Sequence, residues 1–210
     1  WGWAEAYERA GGSYYPKLLS AVPFTPVTGP RLLVRGDLED TLRDELAEAL
    51  SAGMVRLAER LGVSSLHVNF PTKAEWLRLS ERGLLLRTGQ QFHWQNRDYR
   101  GFDDFLADLT SRKRKAIRKE RASVAGHGLD IRALTGTDIT ESHWDAFYGF
   151  YRNTSDKKWG ANYLTREFFS LLGERLGSSV VLVMAENGRR PVAGALNIRG
   201  GDTLYGRNWG

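Results

Sequence analysis

From Asp37 to Leu61 the apolar positions recur at threes and fours, as Leu38, Leu42, Leu46, Leu50, Leu57 and Leu61. That period predicts a helix. Asp37, Glu39 and Asp40 favour its start electrostatically, and Gly62 stops it. Ser65–Phe70 is rich in β formers and precedes Pro71, so it reads as a strand. Thr72 caps a helix running through Arg82, with Trp76 and Leu79 inward and Gly83 as its stop. Leu84–Asn96 alternates like a longer strand bent at Gly89, placing Phe92 and Trp94 on one face and His93 on the other. Ahead of these, Trp1–Val34 mixes aromatics with Gly and Pro and has no helical period, which predicts short strands and loops.

Past Asn96 a helical face is carried by Phe102, Phe105, Leu106 and Leu109. Thr110 or Ser111 caps a second segment that ends near Gly126–Gly128. Leu129–Leu134 reads as a short strand. Thr140 then opens a helix with Trp144, Phe147, Tyr148 and Tyr151 at i, i+3, i+4 and i+7, a core stripe. A polar loop over Asn153–Gly160 leads to a helix capped by Thr165, with Phe168, Phe169, Leu172 and Leu176 inward. Three strands follow, Val180–Met184, Val192–Ile198 and Thr203–Trp209, turned by Asn187-Gly188 and by Gly200-Gly201-Asp202. The order from Leu129 onward is β-α-α-β-β-β, and the class is α+β.

Charge changes this picture at one place. The 210 residues hold 30 Lys and Arg against 25 Asp and Glu, a net +5. Ser111–Arg121 alone carries Arg112, Lys113, Arg114, Lys115, Arg118, Lys119 and Arg121 against the single Glu120, so this one element holds +6 and the remainder about −1. On a helix, Arg112, Lys115 and Lys119 share one face, and Arg114, Arg118 and Arg121 share another nearby. Two readings stand: a solvated face beside acidic patches, or contact with phosphate of a nucleic acid, an anionic lipid or a nucleotide. The near absence of i,i+4 acidic partners weighs toward phosphate.

Composition excludes more than it assigns. With 41% hydrophobic and 26% charged residues, the chain is an ordinary globular polypeptide with length enough for a core. There is no Cys, hence no disulfide, thiolate nucleophile or Cys metal site. His67, His93, His127 and His143 show no metal-ligand spacing, so no metal site is expected. No Walker loop or Gly-x-Ser-x-Gly elbow occurs, and no apolar run approaches the length of a membrane span. The chain opens at Trp1 without Met and stops straight after a strand-like run, which reads as a piece of a longer protein.

The meander with Ala-Glu-Asn-Gly-Arg-Arg-Pro-Val-Ala-Gly-Ala-Leu (185–196) resembles the N-terminal half of a GNAT-type acyltransferase domain. The stretch Leu109-Thr-Ser-Arg-Lys-Arg-Lys-Ala-Ile-Arg-Lys-Glu-Arg121 before a new strand looks like the junction between the two GNAT-like domains of FemAB-like proteins. Thr154-Ser-Asp-Lys-Lys-Trp-Gly160 and Tyr163-Leu-Thr-Arg-Glu-Phe-Phe169 resemble the bacterial peptidoglycan biosynthesis/recognition subgroup. The resemblance implies a largely antiparallel mixed sheet flanked by helices, in parts of two tandem GNAT-like domains. Residues 1–98 would be the C-terminal part of the first, 99–127 a basic helical connector, and 128–210 the N-terminal part of the second.

That family implies transfer of an acyl or aminoacyl group to an amine, on a cell-wall precursor, by direct attack without a covalent enzyme intermediate. The donor would be acyl-CoA or aminoacyl-tRNA, with no tightly bound cofactor. The expected partners are tRNA or a phosphate-bearing substrate, and a lipid-linked acceptor at the membrane surface. The expected location is the cytoplasm, peripheral to the inner membrane face. Lys157, Lys158, Trp159 and Tyr163 are the substrate-cleft candidates, against the plainer reading of a surface loop anchored by one Trp. His93 and Asp156 are the candidates for proton transfer. Val27-Thr-Gly-Pro-Arg31 is the one feature comparable to a CoA pyrophosphate loop, without the full Gly-x-Gly spacing. Two other functions stay open: a non-catalytic nucleic-acid or anionic-surface binding module, and a CoA-dependent small-molecule N-acetyltransferase.

Overall fold

The computed structural model describes residues 2–157 and 162–210. The chain divides into two compact units, Trp1–Trp94 and Gln95–Gly210. Its α+β class agrees with the sequence pattern: among the described residues there are seven α-helices, a two-stranded parallel sheet and a four-stranded antiparallel sheet.

The first unit opens with α1 (Gly2–Arg9), where the sequence pattern predicted only strands and loops, and continues to β1 (Lys17–Ser20). Helix α2 (Asp40–Arg60) crosses over to β2 (Ser65–Val68), which pairs with β1 in parallel. Helix α3 (Lys73–Glu81) starts with the predicted cap: Thr72 Oγ1 accepts the Glu75 N–H and Glu75 reaches back to the Thr72 N–H, a closed capping box. Arg78 bridges to Asp44 and Glu48, and Arg82 to Glu48, tying α3 to α2.

One further expectation fails in this unit. Leu84–Asn96 forms no strand; among the described residues β1 and β2 pair only with each other, so this alternation has no ladder to join and most of its residues are exposed. Phe92 is 92% exposed as a result. In α2, the leucines that make the helix legible do not face the core. Its inward side carries the buried Ser51 with the half-buried Ala47, Val55 and Ala58, while Leu42, Leu46, Leu50 and Leu57 lie exposed.

In the second unit, α4 (Phe102–Ala107) and α5 (Ser111–Ala125) precede β3 (Asp130–Leu134). Helices α6 (Glu141–Lys157) and α7 (Arg166–Leu176) then lead to β4 (Val180–Asn187), β5 (Arg190–Gly200) and β6 (Thr203–Trp209). The sheet runs β3-β4-β5-β6, antiparallel throughout, in the predicted β-α-α-β-β-β order. Gly188, at φ 63°, turns the β4–β5 hairpin where a side chain would be strained.

The core lies where α6 and α7 meet the sheet. Trp144, Phe147 and Tyr151 from α6 and Phe169 from α7 are buried against Val180, Leu182, Met184 and Leu196. Gly194 lets Phe147 lie on β5, since a Cβ there would fall 2.9 Å from its ring and 3.0 Å from Met184 Sδ. Two details depart from expectation. Helix α6 runs on through Lys157, into the stretch read as a loop, and Lys157 in its last turn suits the helix dipole. Phe168 and Leu176 are exposed, because only the face of α7 bearing Phe169 meets the sheet.

Candidate functional site

A helix with seven cations and one acid cannot be held by burial, and no residue of α5 is buried. Its attachment comes from the cations on one face. Arg114 donates Nε–H to the Leu106 carbonyl at 2.8 Å and Nη2–H to those of Ala107 and Leu109 at 3.1 and 2.9 Å. These carbonyls lie at the end of α4 and in the link that follows it, and the Leu106 oxygen also accepts the Leu109 N–H at 3.2 Å, so Arg114 ties α5 to the end of that helix. Arg121 lies over the Phe102 ring, 4.1 Å from its centroid, and Arg118 reaches Asp103 at 4.0 Å.

The remaining cations point elsewhere. At 100° per residue, Arg112, Lys115 and Lys119 fall within an arc of about 60° and span about 10 Å of helix. With Lys113 they are exposed and form no ion pair among the described residues. Thr110 makes no side-chain cap, and the first turn carries no acid. Positive charge at a helix N-terminus opposes the macrodipole, so both call for an anion. The seven predicted phosphate ligands thus sort into a structural face (Arg114, Arg118, Arg121) and an open one.

A second cluster forms where α6 gives way to α7. Buried Tyr151 accepts the N–H groups of Tyr163 and Leu164 on its hydroxyl, each at 3.2 Å, and this pins the chain as it re-enters. The Tyr163 ring stands edge-on to Tyr151 at 6.1 Å, and Arg207 Nη2 donates to its hydroxyl at 3.4 Å. Arg207 is the extra residue of a β-bulge, since Leu196 pairs with Asn208 and Asn197 with Gly206. Beside it, Asn208 Oδ1 is buried with no hydrogen-bond partner among the described residues. Sequence reasoning missed Arg207 and Asn208; the signal present was Gly206, a glycine inside a strand.

The other predicted positions are more dispersed. Asp156 is exposed at the end of α6 and accepts from Asn162 at 3.3 Å; Lys157 beside it is exposed. Lys158 and Trp159 lie outside the described residues. His93 belongs to the first unit, exposed, with Gln91 Oε1 3.4 Å from its Nε2.

The Val27–Arg31 segment is occupied from within. Glu75 Oε1 accepts the N–H groups of Arg31 and Leu32, each at 2.7 Å. The Arg31 side chain is spent on the carbonyls of Asn69, Pro30 and Val27. Burial raises the Glu75 pKa, but the hydrogen bonds from Leu32, Thr72 and Arg31 outweigh it and hold the carboxyl below its ordinary value. The Arg31 and Leu32 N–H groups of this segment are thus taken by a carboxylate of the same chain.

Among the described residues no group of three or more His, Asp or Glu gathers as a metal site, and no helix is long and apolar enough to cross a membrane. A family model described as peptidoglycan biosynthesis/recognition, FemAB-like, matches residues 1–210. No curated protein matches the chain.

Proposed function

Since the chain belongs to the FemAB-like family of peptidoglycan biosynthesis/recognition proteins, we propose that it works in an acyl or aminoacyl transfer to an amine of a cell-wall precursor. The amine nitrogen attacks the carbonyl of the activated ester directly, and the tetrahedral intermediate breaks its C–O bond to release the donor's hydroxyl, which takes up a proton as the nitrogen gives one up. The protein positions both reactants, accepts the ammonium proton and stabilises the tetrahedral oxyanion. The open face of α5, Arg112, Lys113, Lys115 and Lys119, takes the phosphates of the donor or of a lipid-linked acceptor. Asp156, Lys157 and Tyr163 belong to the acceptor side, and His93 and Asp156 are the proton acceptors to test.

One observation carries this reading: four cations of one helix stand in solvent without acidic partners among the described residues, while their neighbours on the same helix are bound. The closure of Val27–Arg31 by Glu75 supports aminoacyl-tRNA over a CoA thioester as donor. Asp37, Glu39 and Asp40 at the start of α2 repel phosphate there as well.

Titration of the chain with tRNA and with acetyl-CoA, across a salt series, tests it. Binding of tRNA with a log–log salt slope of about −0.7 to −0.9 per phosphate contact, lost in R112E/K115E/K119E, supports the reading. Affinity for acetyl-CoA without tRNA binding overturns the donor choice. Binding of tRNA by a protein that never turns over aminoacyl-tRNA with a precursor amine would make it a binding module.

A further inference from the structure

Helix α2 carries more leucine than its own fold uses. Leu42, Leu46, Leu50 and Leu57 remain 43, 38, 42 and 40% exposed. With Ala49 and Gly53 they occupy an arc of about 100°, on the side opposite the half-buried Val55 and the buried Ser51. Scattered exposed leucines are ordinary, but a continuous apolar stripe over four turns marks a contact surface.

Three features describe what fits it. Ala49 and Gly53, the smallest residues of the stripe, lie near its middle, and a Cβ on Gly53 would meet nothing within 4 Å. A shallow, open depression lies there between Gly53, Arg56, Leu57 and Arg60. The charges on one flank are ordered, Glu45 toward the start and Arg56 toward the end, and Arg60 closes the end of the stripe itself. None of these three forms an ion pair among the described residues, although Asp40, Arg43, Asp44 and Glu48 of the same helix do.

We infer that this stripe is a self-association surface, on which two copies of the chain pair through α2 with the helices antiparallel. Crossing at Ala49 and Gly53 brings Leu46 of each copy against Leu57 of the other. It also sets Glu45 against Arg56 twice by two-fold symmetry. A parallel two-fold pair would turn this flank toward the partner's other flank and form neither Glu45–Arg56 contact, so the charge order favours the antiparallel one. A helix pair is small beside a standard interface of roughly 1,600 Å², and the dimer is accordingly a weak, concentration-dependent one.

Sedimentation equilibrium of the whole chain over a concentration series tests this. A monomer–dimer equilibrium is expected, abolished by L46E/L57E, weakened about tenfold or more by E45R or R56E alone, and restored by E45R/R56E together. Circular dichroism of each variant should match that of the parent. Because the chain has no Cys, G53C should oxidise to a disulfide-linked dimer. L42C should not, its two copies lying about 27 Å apart along the paired helices. A chain monomeric at every concentration, a dimer indifferent to Leu46, Leu57 and the charge swap, or L42C cross-linking as readily as G53C would each overturn the inference.

Discussion

Glu75 reaches out of the first turn of α3 to Arg31, whose backbone N–H it accepts at 2.7 Å across 44 residues of sequence. The same carboxylate takes the Leu32 N–H and the N–H and hydroxyl of Thr72, so one side chain both caps a helix and shapes a distant loop. Charge-assisted bonds to a part-buried group are among the stronger single contacts a small unit has.

Glu75→Ala should therefore cost the first unit about 3 kcal/mol in denaturant unfolding, and Glu75→Gln clearly less, because an amide still accepts on one oxygen. The pH dependence follows from the depressed pKa. Stabilisation is complete above the ordinary value of 4.5 and is lost as pH falls through the lowered folded-state value. Glu75→Gln should flatten that acid limb. An unchanged limb would mean that another carboxylate governs it.

The two faces of α5 should respond oppositely to substitution. Arg112→Glu, Lys115→Glu and Lys119→Glu together should leave the melting temperature near that of the parent while removing affinity for tRNA or anionic vesicles. Arg114→Ala should do the reverse, lowering thermal stability because three hydrogen bonds to the carbonyls of Leu106, Ala107 and Leu109 are lost. Paired melting and anisotropy measurements separate the two roles.

Tyr151→Phe deletes the oxygen that receives two N–H groups, one of them buried at Leu164. The expected cost is about 1–3 kcal/mol. Hydrogen exchange at the Tyr163 and Leu164 amides should quicken well before the sheet amides do.

Gly194→Ala forces a methyl against Phe147 and Met184 in a packed core. Destabilisation of about 1–3 kcal/mol is expected, read as a shift in the denaturant midpoint. Phe147→Leu in the same chain should recover part of it by opening space.

Local patterning alone determined much of this protein. Thr72 and Thr165 cap the helices that follow them, Asn187-Gly188 turns a hairpin, and Trp144, Phe147 and Tyr151 form a core stripe, because each signal is complete within a few residues. The basic character of α5 and its two faces were equally legible, since helical spacing sets them. Tertiary structure decided what needs a partner from elsewhere. Leu84–Asn96 has strand-like alternation but no ladder to join. The α2 leucines obey the helical period but turn outward, since period fixes a face and only packing chooses which face goes in. Arg114 reads as one more cation until the end of α4 claims it. Glu75 reads as half of a capping box until Arg31 and Leu32 come within reach, and Arg207 as a strand residue until β5 sets the bulge. Charge and periodicity are properties of the chain, whereas which donors and acceptors are already satisfied is a property of the fold.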